Sequence, residues 1–76
     1  MKIKVFAPAF YDLSKVVDGY LDIDNDATVD DAFNMLKIDD QYKKILIALV
    51  NYERVKLSKT LRDGDTLNII GPVNGG

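Results

Sequence analysis

Thr60-Leu61-Arg62-Asp63-Gly64-Asp65-Thr66-Leu67-Asn68-Ile69-Ile70-Gly71-Pro72-Val73-Asn74-Gly75-Gly76 runs from a turn through a strand into a tail. The turn centres on Asp63-Gly64, a pair that favours reversal of the chain. In the strand, Leu67 and Ile69 face inward and Ile70 faces the other way. Pro72 has no amide proton to give to a ladder, so pairing is expected to end near it. The terminal pair adds no side chain to a core, and glycine loses more backbone freedom on ordering than any other residue. Gly75-Gly76 instead offers a thin, flexible end that can thread a channel too narrow for a Cβ. The expectation is one domain over residues 1–71, a tail over 72–76, and the Gly76 carboxylate as the working group.

Working back from this segment, the rest of the chain supplies partners for the last strand. Lys2-Ile3-Lys4-Val5-Phe6-Ala7 alternates, with Ile3 and Val5 on one face and Lys2, Lys4 and Phe6 on the other. Pro8 limits its extension. Over 9–17, Phe10, Leu13, Val16 and Val17 fit helical spacing, or equally a loop anchored on apolar residues. Asp18-Gly19 reads as a turn, followed by a second alternating strand, Tyr20-Leu21-Asp22-Ile23-Asp24.

Thr28 can cap a helix, and Asp31 three residues later makes an acidic capping box. Asp30 and Asp31 put negative charge where the helix dipole favours it. Val29, Ala32, Phe33 and Leu36 form one apolar stripe, so a helix is predicted over about 29–37. Asp39-Asp40 reads as a polar stop, and Lys43, Lys44 and Lys15 as solvated. Ile45-Leu46-Ile47-Ala48-Leu49-Val50 is a continuous apolar run, read as a central strand covered on both faces. Asn51-Tyr52-Glu53-Arg54 reads as a turn, and Val55-Lys56-Leu57 as a short strand.

One helix and four to five strands leave one solution: an α+β fold with the helix on one face of a mixed sheet. The first and last strands are expected side by side at its centre. Phe6 and Ile70 then share the helix-free face, joined by one register of the 45–50 run. Such an apolar patch marks a partner-docking surface, unless the 9–17 segment folds over it.

Composition removes several functions. With 47% hydrophobic and 29% charged residues, the 76-residue chain has the make-up of a folded domain. It has no cysteine and no histidine, which removes disulfides, thiol nucleophiles and the commonest general base. A reducing cytoplasm is compatible. The first residues are too short and too alternating for a signal peptide, and no apolar run nears membrane-spanning length. A net charge of −2 with scattered basic residues argues against nucleic acid. Asp22, Asp24 and Asp26 suggest a calcium loop, but Ala27 stands where such a loop needs glycine and Phe33 where it needs glutamate. No metal site is expected.

This order, with Leu61-Arg62-Asp63-Gly64-Asp65 before the last strand and Gly71-Pro72-Val73-Asn74-Gly75-Gly76 behind it, resembles the β-grasp, ubiquitin-like sulfur carriers. The nearest resemblance is to the small subunit of molybdopterin synthase, whose tails typically read Pro-Pro-Val-x-Gly-Gly; Gly71 replaces the first proline here. The thiamin-pathway carrier shares the Gly-Gly end but usually lacks the Pro-Val. Molybdopterin members often carry an arginine soon after the first strand, and Phe6-Ala7-Pro8-Ala9-Phe10-Tyr11-Asp12-Leu13 has none.

The resemblance implies a carrier that is not catalytic alone. An adenylating partner of the ubiquitin-activating type uses ATP and magnesium to activate Gly76. A sulfur donor converts the acyl-adenylate to a thiocarboxylate, and a large catalytic subunit takes the sulfur with Pro72, Val73, Asn74 and Gly75 lying in its channel. The chain itself is expected to bind no cofactor. A lysine-conjugated protein modifier and a plain interaction module are the alternatives.

Overall fold

The computed structural model describes residues 1–7 and 12–71. The expected limit at Pro8, the Phe10 part of the 9–17 segment, and the whole tail from Pro72 to Gly76 lie outside them. Six strands and two helices follow in chain order: β1 (Lys2–Phe6), β2 (Val16–Val17), β3 (Tyr20–Asp22), α1 (Val29–Met35), α2 (Asp40–Lys43), β4 (Ile47–Val50), β5 (Glu53–Val55) and β6 (Thr66–Ile70). They make one sheet in the order β2-β3-β1-β6-β4-β5. β1 and β6 are parallel neighbours at its centre, with Val5 opposite Leu67 and Phe6 opposite Asn68. All other pairings are antiparallel. This is the β-grasp arrangement: a mixed sheet with one main helix on one face.

Strand period fixes which side chains reach that helix. Ile3, Val5, Leu21, Ala48, Val50, Leu67 and Ile69 point to the helix side and are buried. Val29, Ala32, Phe33 and Leu36 meet them from α1 and its C-cap, and Phe33 is fully enclosed. Burying side chains of this size contributes about 1.5–3 kcal/mol each, and among the described residues Lys43 is the only buried polar or charged one.

The ends of α1 are fully accounted for. The Thr28 hydroxyl accepts from the Asp31 amide, and Asp31 Oδ2 accepts from the Thr28 amide at 2.8 Å, which closes the capping box. The next orphan donors go to a distant loop: Val29 N–H to the Lys59 carbonyl and Asp30 N–H to the Leu57 carbonyl, both 2.9 Å. At the other end Lys37 takes a left-handed φ of 55°. Ile38 N–H then reaches the Phe33 carbonyl, and Lys37 N–H the Asn34 carbonyl. That is a Schellman closure with lysine in the position glycine usually fills, and it stops the helix slightly short of the predicted 37.

Four expectations need correction. The sheet has six strands, because Val16–Val17 pairs with β3 through the Asp18-Gly19 turn; two residues are too few to show a period of two. The run from Ile45 is not a central strand covered on both faces. Ile45 and Leu46 direct their amides back to the Tyr42 carbonyl, so β4 starts at Ile47 and lies one place from the edge. Ala48 and Val50 are buried, while Ile47 and Leu49 are half-buried, since one main helix covers one face. The turn after β4 contains only Asn51-Tyr52, both left-handed at φ 51° and 69°. This two-residue reversal moves Glu53 and Arg54 into β5, ahead of the expected strand. Finally, Lys43 is not solvated. Its side chain is 7% exposed, and its ammonium donates to Asn34 Oδ1 at 2.6 Å and pairs with Asp30 at 2.8 Å and Asp40 at 3.1 Å.

Candidate functional site

β6 is the strand that precedes the tail in sequence, and it is paired along both edges. Parallel pairing with β1 holds one edge, and antiparallel pairing with β4 holds the other as far as Ile47 opposite Ile70. Its starting point is set by Arg62-Asp63-Gly64-Asp65. Asp63 Oδ1 accepts the Lys2 amide at 2.8 Å, and Gly64 N–H donates to the Lys2 carbonyl at 2.9 Å. Gly64 sits at φ 86°, a region other residues enter only with strain. The Asp65 carboxylate accepts the Arg62 amide at 2.8 Å through one oxygen and the Asn51 carboxamide at 2.9 Å through the other. Asn51 Oδ1 in turn accepts the Thr66 amide at 3.0 Å. The leucine-x-Asp-Gly-Asp motif is thus a clamp joining the start of β6 to β1 and to the β4–β5 turn. It sets the register of β6 and hence the position at which that strand ends.

On the sheet face away from α1, the structure brings the two expected docking residues together. Phe6 is 47% exposed and Ile70 39% exposed. Asn68 lies opposite Phe6 and Leu49 lies opposite Asn68, while Ile47 lies opposite Ile70. Phe6, Leu49, Ile47 and Ile70 therefore surround Asn68 in a largely apolar patch beside the end of β6. Tyr20 and Val17 continue it past Lys4.

Two basic residues border the patch, and strand alternation placed only Lys4 on that face. The Lys4 ammonium lies over the Phe6 ring, 5.3 Å from its centroid. Arg54 stands opposite Leu49, on the same face. Lys4 was legible as face-sharing from strand alternation. Arg54 was not, because a sequence reading that makes 51–54 a turn gives it no face.

The expected working residues Gly76, Gly75, Asn74, Val73 and Pro72 lie outside the described residues. Two groups elsewhere have shifted proton affinities. Hydrogen bonds from Ser14 hold the Asp12 carboxyl below its ordinary 3.8. The Asp30 carboxylate, supported by Asp40, raises the Lys43 ammonium above its ordinary 10.5. Asp22, Asp24 and Asp26 follow the sheet edge into the loop before α1, and no three acidic side chains among the described residues converge as a metal site. No helix of the described residues is long and apolar enough to cross a membrane.

The model of the ThiS family matches residues 3–76. Among solved structures the chain is similar to SAMP1 from Haloferax volcanii, at 26% identity and a TM-score of 0.72 over 100% of each chain. A second structure, of H. volcanii small archaeal modifier protein 1, shows 30% identity and a TM-score of 0.63 over 96% of this chain and 97% of that one. A putative molybdopterin converting factor, subunit 1, from Pyrococcus furiosus shares 23% identity with a TM-score of 0.68, covering 96% and 99%; at that identity the likeness shows the fold alone. No curated protein matches the chain.

Proposed function

The chain belongs to the ThiS family of ubiquitin-like sulfur carriers, and from that premise we propose that Gly76 carries sulfur as a thiocarboxylate for molybdopterin biosynthesis. The observation that supports this most is the extent of the family match. It runs through the Gly-Gly tail to residue 76, behind a strand held on both edges and clamped at its start. Pro72-Val73 favours the molybdopterin pathway over the thiamin one.

The chemistry is set by the weakness of a carboxylate as an acceptor. Its carbon is electron-rich, and oxide cannot leave. In the proposed sequence a Gly76 carboxylate oxygen attacks the α-phosphorus of ATP on the adenylating partner, and pyrophosphate departs. Sulfide from the sulfur donor then attacks the acyl carbon, AMP leaves, and the thiocarboxylate forms. The sulfur is nucleophilic at neutral pH and bonds to the substrate held by a large synthase subunit; water then cleaves the acyl–sulfur bond and returns the Gly76 carboxylate. ATP and magnesium belong to the partner, and this chain binds neither. Its own contribution is presentation. β6 fixes the root of the tail, glycines at the tip fit a narrow channel, and the patch around Phe6 and Ile70 docks the partner in the cytoplasm.

Incubation with the adenylating partner, ATP and sulfide should add about 16 Da to the intact mass, oxygen replaced by sulfur. An unchanged mass overturns the proposal. Removing Gly76 should abolish the gain and leave the melting temperature unchanged.

A second reading has its own support in the likeness to SAMP1. The same activated carboxylate can be attacked by a lysine amine of another protein, with AMP leaving and an isopeptide bond forming. Higher-mass conjugates that vanish on removal of Gly76 would identify this route. The buried Lys43 would not serve as an acceptor within chains of this protein.

A further inference from the structure

The charge of this molecule is unevenly divided. Nine of its twelve acidic residues fall between Asp12 and Asp40, against two lysines in the same span, Lys15 and Lys37. The helix-free sheet face has the opposite character. Lys4 stands on one side of the apolar patch and Arg54 on the other, separated by three strand spacings, or about 15 Å. Within the strands the one acid on this face is Asp22, displaced to the far end of the sheet opposite Lys2 and 3.8 Å from the Met1 ammonium. Among the described residues neither Lys4 nor Arg54 has a carboxylate partner.

A surface that covers Phe6 also covers Lys4, whose ammonium lies against the same ring. Removing an ammonium or guanidinium from water without a counter-charge is strongly unfavourable. An entirely apolar or basic partner therefore cannot close over this patch. We propose that the surface seated here is apolar at its centre and carries carboxylates on either side, one meeting Lys4 and one meeting Arg54. The inference rests on the reading that this face docks the activating partner, and it names that partner's chemistry. It also assigns Lys4 and Arg54 as specificity determinants. Because most acids lie off this face, an incoming acidic rim is attracted to it and repelled by the rest of the molecule, which orients the encounter.

The test is calorimetric titration of the full chain with the adenylating enzyme of the ubiquitin-activating type from the same genome, at low and high salt. Wild type should bind, and more weakly as salt rises. K4M and R54M should each raise Kd about tenfold and flatten the salt dependence. K4R and R54K should stay near wild type. All four should keep the wild-type melting temperature, since both side chains are exposed. The inference is overturned if K4M and R54M bind like wild type, if salt has no effect, or if the enzyme does not bind. It is equally overturned if sedimentation of the chain alone shows a dimer that F6A dissolves, because a second copy then occupies the face. The mass assay separates this from the carrier reading. Binding that depends on Lys4 without any gain of sulfur sinks the carrier proposal and leaves this one standing. Sulfur gain with charge-independent binding does the reverse.

Discussion

Tyr52 is held in the left-handed region at φ 69° while its side chain is 75% exposed. The two-residue turn between β4 and β5 demands positive φ at both centre positions, which suits Asn51 and strains a tyrosine. Asn51 is doubly committed, since its side chain joins Asp65 to the Thr66 amide, so relief has to come from its neighbour. Y52G removes strain of about 1–2 kcal/mol but gives back roughly 0.5–1 kcal/mol through the freedom glycine has when unfolded. A net gain of about 0.5 kcal/mol, or a few degrees in melting temperature, is the expected result; calorimetry showing a loss would mean the exposed ring makes a contact worth more than its strain. Gly64 is the converse case, a residue matched to its φ of 86°. That match is legible in the sequence, because Asp-Gly announces a turn. The pairing of Asp65 with Asn51 is not, since nothing local links residues 14 apart.

At the scale of elements, α1 was the most legible part of the chain. Its cap, its acidic first turn and its four-residue stripe are all local, and all appear in the structure. The short helix α2 was not foreseen. It matters because it carries Lys43 to the flank of α1, where Asn34, Asp30 and Asp40 surround the ammonium. The raised proton affinity of Lys43 has a definite sign. A group whose affinity rises on folding contributes stability that is complete below its unfolded value and is lost as pH climbs through the folded one. The window is therefore alkaline, opening above the ordinary 10.5. Wild type should lose melting temperature faster than K43M as pH is raised through that range, and the two profiles should run parallel at neutral pH. Parallel profiles throughout would show that the cluster adds no proton-linked stability. Asp12 acts in the opposite direction: its lowered affinity contributes stability that disappears only as pH falls below the ordinary 3.8.

For the whole molecule, one helix against one sheet face leaves two kinds of phenylalanine with different jobs. Phe33 is wholly enclosed, whereas Phe6 faces outward beside Lys4. F33A should cost about 3–5 kcal/mol. For a chain of this length that is a large fraction of a stability of roughly 4–11 kcal/mol, so the urea midpoint should fall sharply. F6A should shift the urea midpoint little yet weaken partner binding; the opposite pattern would mean that the helix-free face is structural. The sequence by itself determined β1, α1 and β6 and their inner faces. Alternation put Ile3, Val5, Leu67 and Ile69 on one side, helical spacing aligned Val29 with Phe33, and both are local consequences of backbone geometry. It also put Phe6 and Ile70 on a common face once the first and last strands were set side by side. Tertiary structure alone decided which residues stand beside that patch and which charges are buried. Arg54 reached it because a two-residue turn brought β5 back against β4, and Lys43 left the solvent because α2 folded toward α1. Those placements depend on contacts between distant segments, and the energy of such a contact exists only once the chain has closed the loop between them.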